Sequence, residues 1–348
     1  MAERVAVILF NLGGPDRPEA VRPFLLNLFS DPAIIRAPAP IRFFLARFIA
    51  KRRAPFAIEN YRLLGGKSPL LDLTNAQARA IETQFADSST DIRCFVTMRY
   101  SAPQAREVAR AVKEWAPDRI ILLPLYPQYS STTSGSSLLD WRNAAASVNL
   151  VAETTTLCCW HEDPSYIRAT AALVQGTLEQ AEADHPGKPI RLLFSAHGLP
   201  ESIIKSGDPY QWQIEQSVAA VLTAMGGFPD WSICYQSRAT PVKWIGPSTD
   251  DEIARAGSDG VAVVVVPIAF VSDHSETLVE LDIEYRDLAH KSGISAYYRV
   301  PAQNTDPAFI AALTGLISRA AAGPLGLAAP ARRCPSTCGL CPQPERTP

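Results

Sequence analysis

The sequence predicts an α/β protein with two parallel sheets flanked by helices, and three observations carry that reading. Short apolar or β-branched runs bounded by turn residues recur at Val5–Phe10, Ile92–Met98, Arg119–Leu125, Ile190–Ala196, Ser232–Gln236, Val261–Phe270 and Ser295–Val300. Between most of them lie Ala-rich amphipathic stretches such as Pro103–Trp115 and Tyr166–Ala183, and strands alternating with helices require βαβ crossovers, which join parallel neighbours. Finally, the chain echoes itself. Leu9-Phe10 leading to Gly13-Gly14-Pro15 resembles Leu193-Phe194 leading to Gly198-Leu199-Pro200, and Leu123-Pro124-Leu125-Tyr126 before Ser130 resembles Val266-Pro267-Ile268 before Ser272. Duplication and chance both account for such an echo. Its positional content is that strand ends run into Pro-containing polar loops, where open α/β sheets bind ligands.

The length of 348 residues leaves room for two domains at roughly 100–200 residues each. We place an N-terminal domain at 1–157 with a lip at about 40–70, a C-terminal domain at 158–300, a terminal helix within 301–325, and an extension at 326–348. The 33 basic and 35 acidic side chains leave a net charge of −2, so no global positive field holds a nucleic-acid backbone. Val5–Phe10 is too short an apolar core for a signal peptide and reads as a first strand. The longest apolar stretch, Val261–Val271, has eleven residues including Pro267, against the roughly 20 that span a bilayer. These features predict a cytoplasmic protein, where thiols stay reduced and clustered cysteines more often bind metal than pair.

Taken in chain order, the first distinctive element is Ile41–Arg53, where five cations share thirteen residues with Phe43, Phe44 and Phe48. A basic amphipathic helix of this kind suits an anionic membrane surface or a greasy anionic ligand, and equally a packed helix with a basic edge. Gly65-Gly66-Lys67-Ser68 lacks the upstream Gly of a phosphate loop and follows no strand, so a nucleotide site is rejected. The segment Tyr126–Ser137 is rich in hydroxyls at a predicted helix start, fitting either an anion site or ordinary capping.

Ser195-Ala196-His197-Gly198-Leu199-Pro200 puts an imidazole, which titrates near neutrality, at the end of a predicted central strand. It suits a proton acceptor or a metal ligand, or a satisfied structural histidine. After the strand Val261–Phe270, a helix starting near Ser275 puts Glu276, Glu280 and Glu284 at i, i+4 and i+8 on one face. Such a row is a functional line of carboxylates or a solvated face. His197 and this helix both follow strands predicted to be neighbours in one sheet.

Seven cysteines are present: Cys94 and Cys234 lie in apolar runs and read as core thiols, Cys158 and Cys159 are adjacent, and Cys334-x3-Cys338-x2-Cys341 closes the chain. The last three are close enough in sequence for three thiolates to meet at one centre. A fourth ligand must come from elsewhere in the chain.

Together these pieces resemble the ferrochelatase family, the enzymes that insert Fe²⁺ into protoporphyrin IX to make protohaem. The matching motifs run from Asn11-Leu12-Gly13-Gly14-Pro15 through Tyr61–Pro69, Met98-Arg99-Tyr100, Tyr126-Pro127-Gln128-Tyr129-Ser130, Ser195–Pro200, Gly207-Asp208-Pro209-Tyr210, Gln236-Ser237 and Trp244-Ile245-Gly246-Pro247 to Pro267–Tyr285. The resemblance implies two similar Rossmann-like domains, each with a four-stranded parallel sheet, and a porphyrin cleft between them. It implies that His197 and Glu276 take pyrrole protons or meet the Fe²⁺, with Glu280 and Glu284 extending the acidic line. Leu12, Arg53, Tyr61, Ser68, Arg99, Tyr100, Ser130, Ser237 and Trp244 match porphyrin-contacting positions. Leu12 stands where many relatives have Met, and Phe56 where some have a propionate-binding Lys.

By the same resemblance, Cys334, Cys338 and Cys341 hold a [2Fe–2S] cluster. Relatives with a cysteine in the loop at Ser130-Ser131 take their fourth ligand there, so Cys158 is the replacement, with Cys159 beside it. A four-cysteine zinc site and an unligated tail are the alternatives. The resemblance also allows a homodimer and a peripheral seat on the inner face of an anionic membrane. Chelation of another tetrapyrrole such as coproporphyrin, or porphyrin binding without catalysis, are the competing functions.

Overall fold

A computed structural model describes residues 2–237, 242–327 and 332–343. The chain forms two compact units, Met1–Cys159 with Leu313–Pro330, and Trp160–Ala312 with Ala331–Pro348. Each is built on one parallel sheet.

In the first unit the strands are β1 (Glu3–Asn11), β2 (Thr90–Met98), β3 (Arg119–Pro124), β4 (Glu153–Thr156) and, after the whole second sheet in sequence, β9 (Gly326–Leu327). Their spatial order is β2-β1-β3-β4-β9, all parallel. The second unit carries β5 (Ile190–His197), β6 (Trp231–Gln236), β7 (Ala262–Pro267) and β8 (Tyr297–Arg299), in the order β6-β5-β7-β8, again all parallel. The two orders are the same once numbered within each unit, 2-1-3-4, so the sequence echo is matched by a repeated topology. The first sheet departs from the expected four strands by the two-residue β9, whose backbone extends the β4 edge. A pair of residues has no periodicity from which to be predicted.

The apolar runs were legible because parallel strands are buried on both faces. Val5–Phe10 of β1 and Ala262–Val266 of β7 are all at most 2% exposed. Strand β4, Glu153-Thr-Thr-Thr156, was missed as well: only Thr155 is buried, so it shows no hydrophobic run. Cys234 is buried as predicted, while Cys94, in the middle of β2, is half-buried.

Helices cover the sheets. Ala105–Trp115 buries Ala105, Val108, Ala109 and Val112 at helical spacing, against β1, β2 and β3 side chains in one core. Pro164–Asp184 opens on Asp163, whose carboxylate accepts from Ser165 and Tyr166 amides, with Pro164 in its first turn; both are standard start signals. The basic segment lies in the helix Ala39–Leu63, which buries Ala46, Ala50, Ala54 and Tyr61. That stripe packs on Val21, Phe24, Leu25 and Phe29 of the helix Val21–Ser30. Its small buried face leaves the aromatic residues outside: Phe44 is 70%, Phe48 62% and Phe56 61% exposed.

One element differs in kind from its prediction. Glu276–Glu284 forms a π-helix, not an α-helix, with the Tyr285 amide bonded five residues back to Glu280. Such turns are rare and concentrate at functional sites.

Candidate active site

In the second unit, β5 is central: the chain leaves it for β6 on one side and β7 on the other, making the carboxyl ends of β5 and β7 the switch point where such sheets bind ligands. His197 is the last residue of β5, and the loop after β7 leads into the π-helix. The sequence thus delivers an imidazole and a carboxylate to one sheet edge from positions 79 residues apart.

His197 Nδ1 lies 3.1 Å from Glu276 Oε2, which leaves Nε2 as the second ring nitrogen. The loop below is fixed by Gly198: its amide donates to the Gln236 carbonyl, and a Cβ there would stand 2.9 Å from that oxygen. The Tyr210 hydroxyl donates to the His197 carbonyl at 3.1 Å. Burial pulls the imidazole pKa down, but the charge and hydrogen bond of Glu276, with the charge of Glu280, outweigh it and lift it above 6.5. Burial pushes Glu276 up, and His197 and His274 overcome that to hold it well below the ordinary carboxylate range. Both shifts favour the charged forms of the pair.

His274 is the residue the sequence reading passed over. Its Nε2 is 3.6 Å from Glu276 Oε2, so one carboxylate faces two imidazoles, and its buried Nδ1 has no hydrogen-bond partner among the described residues. The signal was present, since His274 is two residues before Glu276 where the π-helix begins. Asp273 anchors this corner by accepting from Arg299, Asn304 and Thr277.

Glu280 comes next. Its Oε2 accepts from Gln236 Nε2 at 2.9 Å and from Ser237 Oγ; Ser237 holds a left-handed backbone, φ 66°. Gln236 pairs with His197 in the β5–β6 register, so one strand neighbour ties both groups together. Burial and the charge of Glu276 push the Glu280 carboxyl up, against the hydrogen bonds from Ser237 and Gln236. Glu284, at the end of the π-helix, is exposed. Trp244 is half-buried and bridges to Pro200 beside Gly198.

The first unit gathers its own set at the ends of β1 and β2. Arg99 and Tyr100 amides donate to the Asn11 and Leu12 carbonyls. Ser68 packs so tightly on Gly14 that a Cβ there would lie 2.5 Å from it, with the Tyr61 hydroxyl 3.8 Å away. Leu12, Tyr61, Ser68, Arg99 and Tyr100 are therefore brought together. Buried Asp31, unnoticed in the sequence, locks the last two: its Oδ2 accepts from Arg99 Nη2 at 2.7 Å, Tyr100 at 2.8 Å, and Ser136. Ser130 is buried and bonded to Thr132 at 2.8 Å. Arg53 is half-buried in the helix Ala39–Leu63.

Cys334, Cys338 and Cys341 are buried together against Trp212. Gln213 Nε2 donates to Cys334 Sγ at 3.2 Å. A hydrogen bond between Cys334 and Cys341 lowers the Cys341 thiol to about 6 and raises that of Cys334. The backbone approach that allows this packing is at Gly207 (φ 97°), where a Cβ would stand 2.8 Å from the Gly339 nitrogen. Cys158 is buried in the first unit, its sulfur 3.7 Å from that of Cys159. Among the described residues no three His, Cys, Asp or Glu side chains converge as a ready-made metal site. Cys334, Cys338 and Cys341 are gathered in one buried cluster without forming such a group.

Two parallel-sheet units of the same strand order, one with an imidazole–carboxylate pair at its switch point, are the build of a chelatase. Comparison with solved structures agrees at the level of fold: SirB from Bacillus subtilis with Fe³⁺ aligns with a TM-score of 0.52 at 11% identity, covering 92% of this chain and 96% of that one. The ferrochelatase family model matches residues 4–321, and the chain belongs to the ferrochelatase family. Among curated relatives, ferrochelatase of Phenylobacterium zucineum is 50% identical over 97% of this chain and 97% of its own length. That of Pelagibacter ubique is 47% identical over 97% and 98%. The reaction is insertion of Fe²⁺ into protoporphyrin IX to form protohaem, with release of two protons, and the enzyme is a lyase.

Proposed function

We propose that His197 and Glu276 are the groups that take the pyrrole protons and meet the incoming Fe²⁺, and that Glu280 receives protons from them. The observation that carries this is the 3.1 Å contact of His197 Nδ1 with Glu276 Oε2 at the sheet's switch point. Each turnover strips two N–H protons from the macrocycle as the dication enters, so the site needs a base facing the ring and a carboxylate to balance its charge. His197 Nε2 is the base, and Glu276 sets the orientation and affinity of that imidazole. Nitrogen and oxygen ligands hold Fe²⁺ without the grip of a thiolate, which suits a metal that must be passed on.

Leu12, Arg53, Tyr61, Ser68, Arg99, Tyr100, Ser130, Ser237 and Trp244 form the porphyrin contacts in this reading. Support comes from the clustering of Leu12, Tyr61, Ser68, Arg99 and Tyr100 around the ends of β1 and β2, and from Ser237 bonding Glu280 directly. The test is anaerobic haem formation from Fe²⁺ and protoporphyrin IX: His197→Ala is expected to abolish turnover while still binding porphyrin. Turnover near that of the parent would remove His197 from the mechanism.

The same reading gives Cys334, Cys338 and Cys341, with Cys158 as fourth ligand, to a [2Fe–2S] cluster. Its support is the buried thiol set and the amide donated to Cys334. Inserting Fe²⁺ transfers no electrons, so the cluster's part is to tie down the tail. The helix Ala39–Leu63, with its exposed phenylalanines and Arg42, Arg47, Lys51, Arg52 and Arg53, is the proposed seat on an anionic membrane surface.

A further inference from the structure

Glu280 is half-buried, and its two oxygens have different roles. Oε2 is already taken by Gln236 and Ser237; Oε1 faces the hydroxyl of Tyr285 at 3.3 Å. The same hydroxyl lies 3.3 Å from Oδ2 of Asp250, at the start of the helix Thr249–Ser258. Tyr285 is 6% exposed, whereas Asp250 is exposed to solvent. A phenol has one hydrogen to donate, yet here it stands between two carboxylates. With both ionised, one of them would face only lone pairs, so the arrangement is satisfied when one carboxylate carries a proton and donates it to the phenol oxygen.

We propose that Tyr285 and Asp250 form the proton outlet of the site, carrying protons from Glu280 to solvent by a route that leaves the π-helix before Glu284. A proton on Glu280 Oε1 passes to the Tyr285 oxygen as the original Tyr285 hydrogen passes to Asp250 Oδ2. One O–H bond forms and one breaks at the tyrosine, which ends neutral, and the net change is one proton moved from Glu280 to Asp250. The charged or titratable groups around this route are Glu276 and His197 on the Glu280 side, Cys234 beside Tyr285, and Glu284 beside Asp250. Glu280 is raised by its burial and by Glu276, which is the direction a transient proton carrier needs. The proposal rests on the reading that His197 and Glu276 take the pyrrole protons.

Tyr285→Phe keeps the ring in its core cluster and deletes only the hydroxyl. The expected result is a kcat lower by about tenfold or more, an unchanged KM for protoporphyrin, a larger solvent deuterium isotope effect, and partial rescue by high concentrations of imidazole buffer. Asp250→Asn, at an exposed position, should reproduce the deficit, and the double variant should be no slower than the slower single one. Tyr285→Phe and Asp250→Asn enzymes with the parent kcat and isotope effect would overturn the outlet, as would deficits that multiply or a raised KM without buffer rescue. His197→Ala separates the two readings. Its inactivity beside a fully active Tyr285→Phe would sink the outlet alone; its activity would sink the base reading, and with it the source of the protons.

Discussion

Glu276, through its charge and hydrogen bond, raises the His197 pKa despite burial, so the imidazolium persists to higher pH than in a free histidine. It must lose that proton before it can accept one, so kcat/KM should climb as pH rises through the raised His197 value. Glu276→Gln removes the charge that does the lifting and leaves the burial that opposes it. The acidic limb of the kcat/KM profile should therefore move to lower pH, whatever happens to its height; a limb that stays or moves up would mean that Glu276 does not set this titration. The stability contribution follows the same signs. His197's share is complete below 6.5 and fades as pH rises through its raised value. Glu276's share is present above 4.5 and fades as pH falls through its depressed value. His197 and Glu276 were legible in the sequence because a histidine at a strand end and an acid row after a neighbouring strand need only topology to meet. Asp31 was not, since its partners Arg99, Tyr100 and Ser136 are 68 to 105 residues away and no local pattern connects them.

Elements refine what residues suggest. An α-helix would have set Glu276, Glu280 and Glu284 in a row, but the wider turn of the π-helix directs Glu280 to Ser237 and Gln236 and leaves Glu284 exposed. Periodicity could place the acids on one side of a helix; it could not reveal that the hydrogen bonds skip an extra residue, because that depends on tertiary contacts such as Tyr297 donating to the Leu281 carbonyl at 2.7 Å. The cysteine tail was legible for the opposite reason, as its spacing is local. Held by the Leu340 amide to the Gly207 carbonyl at 3.0 Å and by Arg332 to three tail carbonyls, it has little apolar surface of its own. If a [2Fe–2S] cluster completes it, the purified protein should be red-brown with iron and acid-labile sulfide in about equal amounts. Cys338→Ser should be colourless, with the tail open to limited proteolysis. A colourless, zinc-loaded parent protein would refute the cluster.

At the scale of the whole chain, the sequence disclosed two parallel sheets because nearly every strand is a buried apolar run, and it disclosed their kinship through the echo at the strand ends. It gave no view of β4 and β9, short pieces at one side of the first sheet that bury little. Net charge misleads at this scale. A balance of −2 excludes only a global positive field, and five cations with the exposed Phe43, Phe44 and Phe48 are concentrated on one helix. Some of that charge is held locally: Arg42 donates to the Ser30 and Ala37 carbonyls, and the Arg47 guanidinium lies over the Phe43 ring. Lys51, Arg52 and Arg53 follow one turn later. Among the described residues no helix is long and apolar enough to cross a membrane, so any attachment through this helix is interfacial, with aromatic insertion and charge attraction acting together. The protein should sediment with vesicles containing phosphatidylglycerol and not with pure phosphatidylcholine. Binding should weaken from 0.1 to 1 M salt as the screening length falls from about 10 to about 3 Å. Phe44→Ser and Phe48→Ser should each weaken it by up to about 2 kcal/mol, the order expected for burying one large apolar side chain, without changing turnover on soluble porphyrin. Equal binding to both vesicle types, or indifference to both substitutions, would remove this helix as the membrane contact.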